Sequence, residues 1–298
     1  MKFGKTDTPE LIDFTLPEDH PETSVVLSKH KNKSKTPRVY VGCAKWNKQD
    51  LKNFYPRGTK DELSYYSTQF NSIEMNSTFY RNFPIPQFEK WYEKAPADFK
   101  FFPKVNQMVS HMKRLIDFEK YLPEYLDGVV HFKEKLGTIF LQMHNNFAPK
   151  NFDRVVHFIE AWPKELKLAV EFRHTDWFNE EAVAKELYHL LEENNVVNVL
   201  VDTAARRDLL HMRLTNNETF IRYVGANHES DYTRLDDWVD RLKKWNETGL
   251  MNIHFFVHQN LERASPLLSA YFIKKLNKEL GTDLIIPKTK DSINPKLF

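Results

Sequence analysis

Eight short runs rich in β-branched and aromatic residues recur from Val39 onward, and stretches of helical period separate them. That alternation leaves few folds open. The runs are Val39–Ala44, Ser72–Thr78, Lys100–Val105, Thr138–His144, Leu168–His174, Asn198–Thr203, Thr219–Gly225 and Asn252–Gln259. The clearest helical stretches are Asp61–Phe70, Phe152–Trp162, Glu180–Glu193, Leu235–Glu247 and Ser265–Leu280. Single strands that alternate with single helices pair in parallel. Eight such units predict closure into a TIM-like eight-stranded parallel β/α barrel, with an open doubly wound sheet as the alternative. The link between the sixth and seventh runs is the shortest, so its helix should be brief or missing. The chain divides into a polar extension over 1–37, a barrel over 38–280 and a tail over 281–298.

Side chains on a strand alternate between two faces. Read that way, Ile73, Met75, Phe101, Val105, Ile139, Leu141, Val170, Phe172, Val199, Val201, Ile221, Tyr223, Phe255 and Val257 form an apolar face that should meet the helices. The opposite face carries Glu74, Asn76, Lys104, Gln142, His144, Glu171, Arg173, Asp202, Arg222 and His258. Its charges gather toward the C-terminal halves of the strands. A buried charge costs several kcal/mol unless it is paired, so an ordinary core would not collect them. The C-terminal mouth of a β/α barrel is where active sites lie. A salt-bridge network that only fixes the barrel is the plainer reading.

Composition excludes several classes. A net charge of +2 gives no global attraction to nucleic acid. Cys43 is the single cysteine, which leaves no internal disulfide and no cysteine-based zinc site. The N-terminus carries no apolar signal core and no apolar run approaches membrane-spanning length, so a cytoplasmic protein with no membrane partner is expected. The eight glycines form neither GxGxxG nor GxxxxGK. GxSxG is absent too. The Lys-rich stretch Lys29–Lys35 reads as a solvated linker, with a nucleic-acid arm as the alternative.

The inner face supports three chemistries. A divalent metal could take His144, Glu171, Asp202 and His258, although HxxxH, HxH and HExxH spacings are all missing and the acids are matched by Lys104, Arg173 and Arg222. An anion site is favoured. Lys45, Arg81, His111 and His174 tip the rim positive, and arginine forks suit phosphate or carboxylate. Trp46, Tyr80 and Trp177 could stack a sugar or base, or simply pack under loops. In proton transfer, Glu74 or Glu171 could act with a raised pKa, and Lys104 could act with a lowered one. Catalytic candidates are therefore Glu74, Lys104, Glu171 and Asp202. Substrate-binding candidates are Lys45, Trp46, Asn76, Tyr80, His111, Arg173, His174, Trp177 and Arg222.

The segments VGCAKW near Val41, FYP at Phe54–Pro56, EMNSTFYR at Glu74–Arg81, EFRHTDW at Glu171–Trp177 and RYVG at Arg222–Gly225, with Trp91, FFPKV, His111 and Asp202, resemble the YecE-like family, a domain of unknown function numbered 72 in its series. The resemblance spans roughly Val39 to Leu280. It implies a TIM-barrel-like fold with no established activity. It also implies a fold-level likeness to metal-dependent barrels such as apurinic endonucleases and sugar isomerases. Three places depart from the family pattern. Ala44-Lys45-Trp46 stands for Ser-Gly-Trp, Gln142-Met143-His144-Asn145 for Gln-Leu-Pro-Pro, and Val257-His258-Gln259-Asn260 for a Phe-Asn-Asn stretch. His144 and His258 are thus features of a branch.

Two classes of function follow. One is an enzyme, of hydrolase or acid–base type, acting on a phosphorylated or nucleic-acid-like anion at the mouth. The other is a non-catalytic nucleic-acid-binding module that uses the same basic rim and loses affinity steeply with salt. Carboxylates at the floor of the mouth would repel a phosphate backbone and so favour the enzyme.

Overall fold

The computed structural model describes residues 4–30 and 36–289. Most of the basic stretch Lys29–Lys35 and the end of the 281–298 tail lie outside the described residues. The strands are β1 (Arg38–Cys43), β2 (Ser72–Met75), β3 (Lys100–Pro103), β4 (Ile139–Gln142), β5 (Leu168–Glu171), β6 (Val197–Asn198), β7 (Leu200–Thr203), β8 (Glu218–Gly225) and β9 (Asn252–Gln259). The α-helices are α1 (Pro21–Ser28), α2 (Glu62–Gln69), α3 (Ser77–Tyr80), α4 (Ile85–Lys94), α5 (Leu122–Val129), α6 (Phe152–Ala161), α7 (Asp176–Asn179), α8 (Glu181–Glu193), α9 (Ser230–Thr248) and α10 (Ser265–Leu280). Helices α1, α3, α4, α5 and α7 lie outside the helical stretches that the sequence periodicity marks. The second run is strand only to Met75. Asn76 then takes the N-cap position of the short helix α3 without a side-chain capping bond, so strand parity ends at Met75.

The result is an α/β fold of parallel strands in three hydrogen-bonded sheets, ordered β1-β9-β8-β7, β4-β5-β6 and β2-β3. Further bonds cross between the sheets. Gly137 N donates to Phe101 O at 2.7 Å, and Val105 N to Phe140 O at 2.9 Å. Asn71 lies between β1 and β2, accepting from Val41 N at 3.0 Å and donating to Val39 O at 2.7 Å. The Tyr66 hydroxyl accepts from Cys43 N at 2.7 Å and donates to Ser72 O at 3.0 Å. Val199 separates β6 from β7, and its N–H reaches Val170 O at 3.0 Å.

Gly42 sits at the β1–β2 approach, where an added Cβ would stand 2.2 Å from Ser72 O. The obstacle is backbone, which no rotamer change can relieve. Gly42→Ala should therefore cost at least about 1–3 kcal/mol, as overpacking does. A urea midpoint equal to that of the parent protein would contradict this close approach.

Alternation sorts the side chains as the fold requires. Ile73, Met75, Val170 and Phe172 pack outward with Phe158 and Leu187 of the helices, while Ile221, Tyr223, Phe255 and Val257 pack with Trp238 and Phe272. The opposite face contributes one inner cluster of Phe102, Phe140, Ala169, Val197, Val199, Val201, Phe220 and Phe256, with Tyr40 against it. The strand before Thr203 is the exception to the expected parity. Val199 and Val201 turn inward, and Leu200 packs outward with the helices. Both faces of that strand are apolar, so alternation alone could not orient it. The link that follows carries only a 3-10 turn, Ala204–Leu209, as its length implied.

Residues from the polar N-terminal segment pack onto the body. Leu16 and Leu27 join the core beside α9. Thr23 Oγ1 donates to Met212 O at 2.9 Å, and Arg241 Nη1 meets Asp19 Oδ1 at 2.5 Å. No helix among the described residues is long and apolar enough to cross a membrane.

Candidate functional site

The C-terminal ends of β2, β4, β5, β8 and β9 converge on one arginine. Arg222 leaves β8 inward and donates Nε to Glu74 Oε2 at 2.9 Å and Nη2 to Glu74 Oε1 at 2.8 Å. Its Nη1 donates to Glu171 Oε2 at 2.7 Å. This two-point grip on Glu74 uses the planar fork that lysine lacks. Arg173 Nε holds the other Glu171 oxygen at 2.5 Å. Gln142 Nε2 donates to both Glu171 oxygens at 3.0 Å, and its Oε1 accepts from Lys104 Nζ at 2.7 Å. Asn76 Nδ2 donates to Glu74 Oε1 at 2.8 Å, and His258 Nε2 lies 2.9 Å from Glu74 Oε2. Both carboxylates are wholly buried, whereas Arg173 and His258 keep an edge in solvent.

Electrostatics assign the protons. Burial pushes both carboxylates up, but the adjacent cations overcome it. Arg222 and His258 hold Glu74 well below the ordinary range, and Arg173 with Arg222 brings Glu171 down to about 2. The expectation of a raised pKa at either acid is corrected, because arginine, rather than another acid, is each one's nearest charge. Burial, with Arg222 beside it, lowers Lys104 to about 7. Its ammonium is met by Gln142 and lies 4.0 Å from the centre of the Phe79 ring. Among the described residues it makes no ion pair with a carboxylate within 4.0 Å.

The outer layer is aromatic and imidazole-rich. His111 has its ring 4.8 Å from Phe79 and 5.4 Å from His144, and Ser110 Oγ lies 2.9 Å from its Nδ1. Burial and Lys104 drop its pKa to about 4, which keeps it neutral. His144 Nδ1 meets Asn146 Oδ1 at 2.6 Å. Lys45 pairs with Asp50 at 3.1 Å. Trp46 packs edge-on to Trp91 at 6.0 Å, and Tyr80 is largely exposed. His174 turns back on Asp176, whose Oδ2 lies 3.5 Å away.

Asp202 and Trp177, expected at the mouth, both lie elsewhere. Asp202 is not on the inner face. It points toward α9, where Arg234 Nη2 and Trp238 Nε1 each donate to it at 2.7 Å and Arg207 also binds it. Trp177 is wholly buried, stacked on Phe147 and donating Nε1 to Phe147 O at 2.6 Å, so it cannot face a ligand. The metal set His144, Glu171, Asp202 and His258 is dispersed: Asp202 lies on the helix side, His258 meets Glu74, and His144 meets Asn146. Among the described residues no three His, Cys, Asp or Glu side chains are grouped to hold a metal ion. Gln142 and Phe79 join the site without being among the residues that the sequence marks for it. Gln142 had the right parity and no charge to draw notice, and Phe79 is delivered by the α3 turn rather than by a strand.

A family model described as a protein of unknown function, DUF72, matches residues 40–291. The UPF0759 protein YecE of Escherichia coli K12 is 25% identical over 276 residues, covering 84% of this chain and 98% of that protein. The UPF0759 protein YunF of Bacillus subtilis 168 is 26% identical over 227 residues, covering 70% and 76%. Among solved structures, a DUF72 family protein from Thermotoga maritima superposes with a TM-score of 0.64 at 23% identity, covering 80% of this chain and 99% of that one. One from Enterococcus faecalis gives 0.62 at 18% identity, covering 85% and 100%. At these identities the superpositions speak to the fold alone.

Proposed function

We propose, from the premise that this chain belongs to the DUF72 family, that its strands form one closed eight-stranded β/α barrel and that the C-terminal mouth is an enzyme site for an anionic, phosphate- or carboxylate-bearing substrate. Support for closure comes from the bonds that cross between the three sheets and from the single inner cluster fed by strands of all three.

The observation that carries the site is Lys104. With Asp202 removed from the inner face, two carboxylates, Glu74 and Glu171, face three basic side chains, Lys104, Arg173 and Arg222. Lys104 is the cation left without an acid. A substrate anion near Lys104 and the solvent edge of Arg173 completes the charge pattern, in a site dry enough for the attraction to exceed its value in water. Glu74 and Glu171 stay ionised and orient the cations. Lys104, poised near neutrality, is the group that takes or returns a proton.

A second reading, nucleic-acid binding at the rim, has its own observation. Two cavities of about 420 and 320 Å3 beside the loop after β1 are lined by Lys45, Lys48, Lys52, Arg57 and Arg263, with Asp50 and Glu262 as the acids. Titration calorimetry in low salt with inorganic phosphate, a sugar phosphate, a dicarboxylate and a short oligonucleotide separates the two. The enzyme-site reading expects a small anion to bind, and binding to fail in the Lys104→Met, Arg173→Gln double variant. Silence of every small anion at millimolar concentration, with oligonucleotide binding intact in that variant, would favour the rim.

A further inference from the structure

A further cavity lies at the opposite pole of the strands from the arginine network. It holds about 350 Å3 and is lined at the strand starts by Arg38, Lys100, Lys133, Thr138, Lys167 and His254. Phe140, Phe220 and Phe256 of the inner cluster fill the space between it and the arginine network at the mouth. Its inner surface is aromatic: Tyr40, Phe102 and His254 stand with ring centres 4.8–5.9 Å apart. Its rim is basic. Among the described residues only Lys167, of the four cations, is ion-paired with a carboxylate, Glu218. Lys100 donates instead to the carbonyl of Glu134, and Lys133 sits 4.9 Å over the Tyr92 ring. Glu165 is the one acid in the lining.

Two buried polar atoms in this lining have no hydrogen-bond partner within the described protein, His254 Nδ1 and Thr138 Oγ1, on residues 4% and 1% exposed. An orphaned buried polar atom costs about 1–3 kcal/mol. Two of them in one cavity under a cationic rim mark a place where something else supplies the bonds.

We propose that this cavity is a binding site for a small ligand that joins a flat ring to a phosphate or carboxylate. The ring lies among Tyr40, Phe102 and His254, the anion meets Arg38 and Lys100, and polar atoms of the ligand satisfy His254 Nδ1 and Thr138 Oγ1. The volume suits a ligand of that size. Barrel chemistry belongs to the other pole, so this site binds and does not catalyse.

The test uses the full chain labelled with 15N at histidine, with the His254 ring signals assigned through His254→Phe. Adenosine monophosphate is titrated as the ring-plus-phosphate probe, and ribose 5-phosphate as the same anion without the base. The expected result is a shift of the His254 ring nitrogens on adding the nucleotide, with ribose 5-phosphate at least about tenfold weaker. The Arg38→Gln, Lys100→Gln double variant changes only the rim, and should weaken nucleotide binding by about tenfold or more while leaving the fold intact. Lys104→Met, at the other pole, should leave it unchanged. Unmoved His254 signals at millimolar nucleotide would overturn the proposal. So would equal affinity for the two probes, or binding that survives the rim variant.

Discussion

Arg222→Met should destabilise the protein by about 3–5 kcal/mol. This arginine holds Glu74 through two bonds and Glu171 through one, and both carboxylates are wholly buried. Methionine fills much of the same space, so the loss is electrostatic: two ionised carboxylates remain with only Arg173, Gln142, Asn76 and His258 to hold them. Arg173→Met should cost less, because Glu171 keeps Arg222 and the lost side chain already reaches solvent. Replacing a whole buried network is often nearly neutral, whereas breaking it is not. The triple variant Arg222→Met, Glu74→Gln, Glu171→Gln should accordingly recover much of the lost stability. A urea titration measures all three. A loss below about 1 kcal/mol in Arg222→Met would mean that the network contributes little.

The second large effect is a pH dependence. Lys104 is nearly wholly buried, and its pKa falls from 10.5 to about 7 through burial, with Arg222 adding to the shift. In the unfolded chain the amine keeps its proton until about 10.5. Between pH about 7 and about 10.5 the unfolded state therefore binds more protons, and stability from this residue rises with pH across that window. A shift of about 3.5 units corresponds to about 5 kcal/mol at full development. Other groups titrate in the same range, so the quantity to measure is the difference between the parent protein and Lys104→Met. That difference should slope in the parent's favour as pH rises from about 7. A flat difference would show that Lys104 titrates as it does in water. At the proposed anion site the same proton should set affinity with the opposite trend, since above pH about 7 Lys104 loses its charge.

Much of the site was legible in the sequence because strand alternation is a hard constraint. Glu74, Lys104, Glu171, Arg173 and Arg222 share a face in the residue order, and the structure brings them within one chain of hydrogen bonds. Asp202 failed because Val197, Val199 and Val201 give its strand a second apolar face, and the partners that claim the aspartate, Arg234 and Trp238, lie on a helix about one strand-and-loop later in the chain. Trp177 failed for a related reason. An aromatic beside a charged motif looks like a ligand platform, but its indole N–H finds a backbone carbonyl and its rings find Phe147 and Phe172. An extension wrapped over the body is compatible with the sequence, but its anchors were illegible there, because Leu16, Leu27, Asp19 and Thr23 are scattered among polar residues and reach partners some two hundred positions away.

Anion capture at the mouth is tested most directly by diffraction from crystals soaked in selenate and measured at the selenium edge. A selenate within hydrogen-bonding reach of Lys104 or Arg173, lost in crystals of Lys104→Met, Arg173→Gln, is the expected result. Selenate confined to surface lysines, with the mouth unoccupied in the parent protein at the same concentration, would contradict it.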